Sequence, residues 1–182
     1  MKTATTPTLS GKQIELRPLT EDDASDVYVR WLNDPEVNKF LETRSVTVEE
    51  LRSYIREKNA SSKTLFLGIF WKENGQHIGN VKLEPIDWKA RTAVLGILIG
   101  EKAYWGRGVG TEAIRLVEEH TFNELGLREL TLGVISTHVS AICLYEKCGF
   151  VICGIEKDAV DHDGQLFDRT LMRKTSLLPR AA

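Results

Sequence analysis

The sequence predicts an α+β fold in which a mixed, mostly antiparallel sheet of about six to seven strands has helices on both faces. Three observations support this prediction. Tight connections join the strand patterns in the first half of the chain, which is typical of antiparallel pairing. In the centre, strand and helix patterns alternate, which is typical of a mixed sheet. The segment 92–99 is too continuously apolar for a half-exposed strand, so we expect it in the middle of the sheet.

The first elements are a short strand and two helices. Alternating apolar residues at Ile14 and Leu16 predict the strand. Thr20 followed by three acidic residues predicts a helix start, because threonine can cap and the acids lie at the positive end of the helix dipole. This helix should end near Asp34-Pro35, since proline disfavours helical geometry in the residue before it. A second helix is expected over 47–59.

The next elements are predicted to be a hairpin and then the central strand. Two strand patterns, 65–71 and 77–83, flank an Asn-Gly pair, which is the strongest short hairpin signal. After the central strand, a helix should follow a glycine-rich turn and end at Gly126. The remaining elements are expected as a strand at 129–135, a helix at 138–147, a strand at 150–156, a turn at 161–164 and a strand at 167–173.

Length and composition indicate one globular domain. A chain of 182 residues can bury one core and is small for two. We expect a domain over residues 12–176, a flexible N-terminal tail over 1–11 and a C-terminal tail over 177–182. The formal net charge of -2 gives no general reason to expect a nucleic-acid or membrane partner. No segment has the roughly 18 to 20 apolar residues of a membrane span, and the N-terminus has no apolar leader, so a cytoplasmic location is expected.

The cysteines and histidines give no sign of a metal site. Cys143, Cys148 and Cys153 are an odd number without CxxC spacing, which argues against a disulfide framework and a zinc site. We expect reduced, buried thiols. The histidines lie far apart in the sequence and in no carboxylate cluster with ligand spacing, so no metal is expected.

The clearest chemical motif joins the central strand to a helix over residues 97–114, ILIGEKAYWGRGVGTEAI. Its glycines at 106, 108 and 110 let the backbone approach a ligand without Cβ atoms in the way. The free N–H groups and positive dipole end of the following helix attract anionic oxygens. The motif therefore predicts a site for a pyrophosphate group.

Several kinds of loop could use these glycines. A P-loop requires Gly-Lys followed by Ser or Thr, which the sequence lacks. The run 108–113 nominally fits the dinucleotide pattern GxGxxA, but about six residues separate Ile99 from Gly106, whereas that fold needs a glycine directly after its strand. Coenzyme A is the remaining ligand, and a glycine-rich turn before an ordinary helix is the alternative without a ligand.

With a second motif at 141–150, AICLYEKCGF, the glycine turn resembles the GNAT superfamily of acetyl-CoA-dependent N-acetyltransferases. The resemblance covers about residues 12–174. The family pattern is Gln/Arg-x-x-Gly-x-Gly/Ala, and Trp105 stands at its Gln/Arg position. This departure resembles the WGxGxG form of the branch with ribosomal-protein N-terminal, polyamine and nucleotide-amino-sugar acetyltransferases. The resemblance implies the three-layer α/β/α acyl-CoA N-acyltransferase fold and acetyl-CoA as the acetyl donor, without a metal.

The resemblance also implies which residues hold coenzyme A. Backbone N–H groups of the glycine turn would form the cradle, and the guanidinium of Arg107 would add a charge near phosphate. A backbone N–H near Leu98 or Ile99, in a β-bulge, would stabilise the oxyanion. His138 replaces an asparagine of the family, and a pantetheine contact and an ordinary helix-start role both stay open. The residues expected to bind coenzyme A are Leu98, Ile99, Gly100, Trp105, Gly106, Arg107, Gly108, Val109, Gly110, Thr111 and His138.

Tyr145 occupies the position of the family's general acid. When an amine attacks a thioester, the departing sulfur carries negative charge that a phenol can protonate. The alternative is a core tyrosine with a satisfied hydroxyl. The general base is not identified, because many relatives have glutamate where this chain has Val94. Glu84, Asp87, Glu101 and a water relay are the remaining candidates.

The acceptor is expected to be a small primary amine that attacks directly in a ternary complex. The segment 31–41, WLNDPEVNKFL, lies where family members form the acceptor wall. An amino sugar, nucleotide-linked or not, is the first choice, a protein α-amine the second and a polyamine the third. A non-catalytic acetyl-CoA sensor is the alternative from another class. A homodimer is left open. The residues expected to bind the acceptor are Trp31, Asn33, Glu84 and Asp87.

Overall fold

The computed structural model describes residues 7–41, 45–162 and 164–176 of the chain. The strands are β1 (Leu9–Ser10), β2 (Ile14–Pro18), β3 (Leu65–Trp71), β4 (His77–Asp87), β5 (Thr92–Ile99), β6 (Glu129–Ile135), β7 (Val151–His162) and β8 (Gln165–Thr175). The α-helices are α1 (Asp26–Asn33), α2 (Val48–Ala60), α3 (Val109–Glu119) and α4 (Val139–Lys147). Single turns of 3-10 helix lie at Glu21–Asp23, Asn38–Phe40 and Lys102–Tyr104, and a π-helical turn lies at His120–Glu124.

The strands form one sheet in the order β1-β2-β3-β4-β5-β6-β8-β7. Neighbouring strands are antiparallel except β5 and β6, which run parallel. The predicted mixed and mostly antiparallel sheet is therefore confirmed. It has eight strands, because the short strand β1, which we did not predict, joins the sheet at its edge.

Two hydrophobic cores lie on opposite faces of the sheet. Leu67 of β3 packs into the core under α3 and α4, together with Ile114 of α3. Its neighbour Phe66 points the other way, into the core under α1 and α2. This alternation along one strand gives each face its own apolar surface. The helices cover both faces, as the sequence predicts. In the described part of the chain, no helix is long and apolar enough to span a membrane.

The first helix starts later than predicted. Thr20 and Asp23 close a separate 3-10 turn, in which the Thr20 N–H donates to Asp23 Oδ2 at 2.7 Å. The hydroxyl of Ser25 then caps α1 by accepting from the Tyr28 N–H. Asp23 therefore stabilises the 3-10 turn rather than the start of α1. Its carboxylate also pairs with Arg17 at 2.8 Å.

The predicted N-terminal tail is wrong where β1 forms. Leu9 lies opposite Leu16 in an antiparallel pair with β2. The turn between these strands is fixed to α3, since the Gln13 N–H donates to Glu112 Oε1 at 2.8 Å. Residues 1–6 and the predicted C-terminal tail, 177–182, lie outside the described residues.

The cysteines also depart from expectation. All three are free, and Cys148 is buried as predicted. Cys143 and Cys153 are exposed, because Cys143 lies on the outer side of α4 and Cys153 lies on the edge strand β7. In the described residues, no group of three or more His, Cys, Asp and Glu side chains is arranged to hold a metal ion.

Candidate active site

A gap opens in the sheet between β5 and β6. The two strands pair only from Thr92 opposite Glu129 to Val94 opposite Thr131. In the described residues, no strand pairs with 95–99 on that side, although both strands continue in parallel directions. The strands therefore diverge, and the backbone of β5 lines one side of the gap.

Alternation along β5 decides which backbone groups face this gap. The Gly100 N–H donates to the Ile78 carbonyl at 2.9 Å, and the same register places Leu98 opposite Asn80. In an antiparallel pair every second residue bonds to the partner strand, so Leu98 and Gly100 bond to β4. The groups of Ile97 and Ile99 point into the gap.

This arrangement corrects part of the predicted set. Leu98 and Gly100 use their N–H groups within the sheet, whereas Ile97, which we did not predict, faces the gap. The period of two along a strand could have identified it. The β-bulge expected at the end of β5 is absent from this described strand; the register with β4 shifts at Leu83/Ile86 instead. Gly100 makes room for a side chain, since a Cβ there would lie 2.2 Å from the Trp31 ring.

The glycine turn has the geometry of an anion cradle. Gly106 and Gly108 have φ of +71° and +81°, and a Cβ at either would meet no atom within 4 Å. Gly108 is the N-cap of α3, so the free N–H groups of the first helical turn begin beside this open space. These features fit a pyrophosphate group, with Thr111 in that first turn. Val109 is 1% exposed, so its side chain belongs to the core and only its backbone can take part.

The other residues of the turn have separate tasks. A Cβ at Gly110 would lie 2.9 Å from Leu144 Cδ2, so this glycine lets α3 approach α4. Trp105 is exposed, and its Nε1–H donates to the Ile99 carbonyl at 2.8 Å. The guanidinium of Arg107 is exposed and lies 5.5 Å from the centre of the Tyr104 ring.

Tyr145 lies on α4, in the core that α4 shares with α3. Its side chain is 7% exposed and contacts Phe150 edge-on, with the ring centres 5.9 Å apart. The core alternative would require a hydrogen-bond partner for its hydroxyl. Among the described residues, no group forms such a hydrogen bond. Burial, with a smaller effect of Cys148, raises the pKa of Tyr145 to about 12. The phenol therefore keeps its proton at neutral pH and can donate it.

His138 is the N-cap residue of α4, three residues after the end of β6. Its ring stacks on Phe40, with centres 3.9 Å apart and an angle of 13° between the planes. Burial, and secondarily Lys39, lowers the pKa of His138. The imidazole thus joins the acceptor wall to α4 at the open end of the gap.

The acceptor wall is fixed to the segment that follows β5. Lys102 pairs with Asp34 and Glu36, both at 2.8 Å. The buried indole of Trp31 donates from Nε1 to Glu101 at 3.5 Å.

The side-chain amide of Asn33 bonds to the backbone of Val46. Its Nδ2 donates to the Val46 carbonyl and its Oδ1 accepts from the Val46 N–H, both at 3.0 Å. Asn33 therefore ties the end of α1 to Val46 and keeps a second N–H donor, so its contact with the acceptor stays a prediction.

Glu84 is held by two lysines. Its carboxylate oxygens lie 2.7 Å from the Nζ atoms of Lys58 and Lys82, and the Thr64 hydroxyl donates to it at 3.0 Å. Burial alone would raise the pKa of Glu84, but these hydrogen bonds hold it at about 2. A carboxylate of such low basicity is a poor general base.

Asp87 lies at the wrong end of the sheet for the predicted role. It stands opposite Thr92, where β5 begins, whereas the glycine turn follows the other end of β5, about 20 Å away. Its carboxylate accepts from the N–H groups of Lys89 and Ala90 in the hairpin turn. Asp87 therefore caps a turn.

Sequence reasoning missed the polar residues on β4 that face α1 and α2. Asn80 is 9% exposed, and its Nδ2 donates to the Tyr28 hydroxyl at 2.7 Å. The Nζ of Lys82 donates to the Tyr54 hydroxyl at 2.8 Å. Asn80 and Lys82 lie opposite Leu98 and Gly96 of β5, next to the gap. Polar residues at alternate positions of an otherwise apolar strand are the signal that could have found them.

Comparisons with known proteins agree with this geometry. Residues 13–151 match the model of the family described as "Acetyltransferase (GNAT) domain". The probable N-acetyltransferase YjcK of Bacillus subtilis (strain 168) is 31% identical over 172 residues, which cover 90% of this chain and 94% of the relative. Spermidine N(1)-acetyltransferase of Escherichia coli (strain K12) is 31% identical over 148 residues, which cover 80% and 76%.

A solved structure has the same fold. Spermidine N-acetyltransferase from Vibrio cholerae, in complex with CoA and spermine, superposes with a TM-score of 0.83. The alignment covers 91% of this chain and 96% of that chain, at 23% sequence identity.

Proposed function

The chain belongs to the GNAT family of acetyl-CoA-dependent N-acetyltransferases, and on that premise we propose that it acetylates the primary amine of a small molecule by direct attack in a ternary complex. The observation that carries this proposal is the gap between β5 and β6, because it connects the two faces of the sheet. The glycine turn and Tyr145 lie on the α3 and α4 side. The acceptor wall lies on the α1 and α2 side.

The donor is expected to follow the gap. The diphosphate of acetyl-CoA would bind at Gly108 and the N-terminus of α3, where the backbone leaves open space. The pantetheine arm would then pair with Ile97 and Ile99 as a short added strand. One of these N–H groups would also stabilise the oxyanion that forms when the amine attacks.

Each bond change has a place in this arrangement. The amine nitrogen attacks the thioester carbonyl carbon, and the carbonyl electrons move to oxygen. When they return, the C–S bond breaks and its electron pair goes to sulfur. Tyr145 gives its phenolic proton to this thiolate and regains one from solvent. The nitrogen gives its extra proton to water, since Glu84 is too weak a base.

An amino sugar, nucleotide-linked or not, is our first choice of acceptor. This choice rests on the sequences of the acceptor wall, 31–41, and of the glycine turn, 104–110, which resemble those of nucleotide-sugar acetyltransferases. A polyamine is the second candidate, favoured by the 31% identity to spermidine N(1)-acetyltransferase.

A thiol-release assay tests the proposed function. The protein is mixed with acetyl-CoA and, separately, with amino sugars, nucleotide-linked amino sugars, polyamines and short peptides. We expect thiol release only with an acceptor, together with a product heavier by one acetyl group in mass spectrometry. If the protein binds acetyl-CoA but none of these amines causes thiol release, a small amine is contradicted as the acceptor. Release with peptides alone would favour a protein α-amine.

A further inference from the structure

The acceptor face, which is the face of the sheet that packs on α1 and α2, has an open place beside a lysine. Lys82 on β4 lies directly opposite Gly96 on β5. A Cβ at Gly96 would meet no atom within 4 Å, so the space above this glycine is unfilled. Gly96 adjoins Ile97, whose backbone faces the gap. A molecule that reaches the gap from this face therefore passes next to Lys82.

Lys82 belongs to a cluster of charged side chains and keeps one N–H donor free of them. The carboxylate of Glu84 lies between the ammonium groups of Lys58 and Lys82, at 2.7 Å from each. Glu57 is a second, more distant carboxylate for Lys58, at 3.3 Å, so the Glu84 carboxylate is the only one that pairs with Lys82 among the described residues. An ammonium group has three N–H donors, and Lys82 uses two of them on Glu84 and Tyr54. In the described part of the chain, Lys82 has no third partner.

Negative charge lies further out, along α2. A shallow pocket of about 380 Å³ is bordered by Tyr54 and three glutamates of this helix. Glu49 pairs with Arg52 at 2.8 Å, and Glu57 lies 3.3 Å from Lys58. Glu50 accepts from the Thr47 N–H. The carboxylates can attract the ammonium form of an incoming amine, but they lie outside the position of Lys82.

We infer that Lys82 binds an anionic group of the acceptor, a carboxylate or a phosphate, close to its reacting amine. Neighbouring strands are about 4.8 Å apart, so the anion and the amine would be within about 10 Å of each other. A polyamine carries only cations and would place one of them against Lys82. This inference rests on the proposed function and narrows its acceptor to compact molecules that carry both charges.

The test compares acceptors that differ in one anionic group. Thiol release is measured with glucosamine, glucosamine 6-phosphate, muramic acid and spermidine, so that the neutral, phosphate, carboxylate and polycation cases are separate. We expect kcat/KM for at least one anionic sugar to exceed that for glucosamine by about 10-fold or more. Lys82→Met should lower kcat/KM for that acceptor by about 10- to 100-fold and change glucosamine little.

Two further variants keep the test decisive. Lys89→Met removes an exposed lysine of the β4–β5 turn and should leave the preference for anionic acceptors unchanged. Glu84→Gln releases both lysines and should keep or increase that preference, even if Lys82→Met does not fold. Melting temperature and acetyl-CoA affinity report folding in each case.

The outcomes distinguish the two proposals. If the wild type acetylates glucosamine and its anionic derivatives equally well, or if Lys82→Met lowers all acceptors by the same factor, the anion site is refuted while the proposed function stands. Efficient use of spermidine by the wild type would also refute it. If no amine supports thiol release, both proposals fail together.

Discussion

At the scale of single residues, Tyr145 combines a ring that is only 7% exposed with a hydroxyl that forms no hydrogen bond with the described residues. The Tyr145 hydroxyl stays protonated at neutral pH, since burial raises the pKa of Tyr145 to about 12. It can therefore supply a proton to a leaving thiolate.

Tyr145→Phe should lower kcat by about 10² to 10⁴-fold, because it removes the proposed proton donor and little else. Steady-state kinetics with a confirmed acceptor measure this loss, and isothermal titration calorimetry should give nearly unchanged acetyl-CoA affinity. The variant should be as stable as the parent or slightly more stable, since no protein hydrogen bond is lost. An unchanged kcat would return Tyr145 to a packing role.

At the scale of elements, the turn that starts α3 combines two glycines of positive φ with open space at both Cβ positions. Such a turn spends backbone entropy without a packing contact in return, which is typical of a binding loop. Gly110 is different, because its missing side chain lets α3 pack against Leu144 of α4.

Gly108→Ala should weaken coenzyme A binding by at least about 10-fold, since the new methyl group would occupy the cradle. Gly164→Ala is the matched control. Gly164 has φ of +83°, close to the +81° of Gly108, and its Cβ position is equally open, but it lies in the β7–β8 turn. Both variants should lose about 1 to 2 kcal/mol of stability through the left-handed backbone, and only Gly108→Ala should lose affinity. If calorimetry gives the two variants equal affinities for coenzyme A, Gly108 is not part of the cradle.

At the scale of the whole molecule, His77 joins the sheet to the α1 layer. Its ring stacks on Phe70 of β3 at 4.8 Å and meets Tyr28 and Trp31 of α1 edge-on, at 5.2 and 5.1 Å. Its Nε2 lies 2.8 Å from the Gly79 carbonyl. Burial lowers the pKa of His77 to about 4.

The folded protein should therefore lose stability as the pH falls from about 6.5 to about 4. In this window the unfolded chain binds a proton at His77 and the folded chain does not, so the free energy of unfolding decreases, by on the order of 3 kcal/mol. Urea unfolding at a series of pH values measures the change. His120 and His138 also have lowered pKa values, so the comparison is with His77→Phe, whose curve should be flatter. Parallel curves for the two proteins would exclude His77 as the cause.

Local sequence patterns by themselves determined most elements. The continuous apolar run of β5 predicts a central strand, and the sheet order confirms it, although Val94 and Gly96 are exposed on one face. The Asn-Gly pair predicts the hairpin between β3 and β4, and Thr47 predicts the start of α2, which it caps. These signals succeed because turn and cap chemistry acts within a few residues. The same signals misplaced the start of α1, where Thr20 and Ser25 both offer a cap.

Only the tertiary structure decided how the site is assembled. The divergence of β5 and β6 depends on where their pairing ends, and it selects Ile97 and Ile99 over Leu98. Glu84 resembles a general-base candidate in the sequence, but the fold brings Lys58 of α2 to within 2.7 Å of it. Strand register and contacts between distant residues result from packing the whole chain, so a local pattern does not contain them.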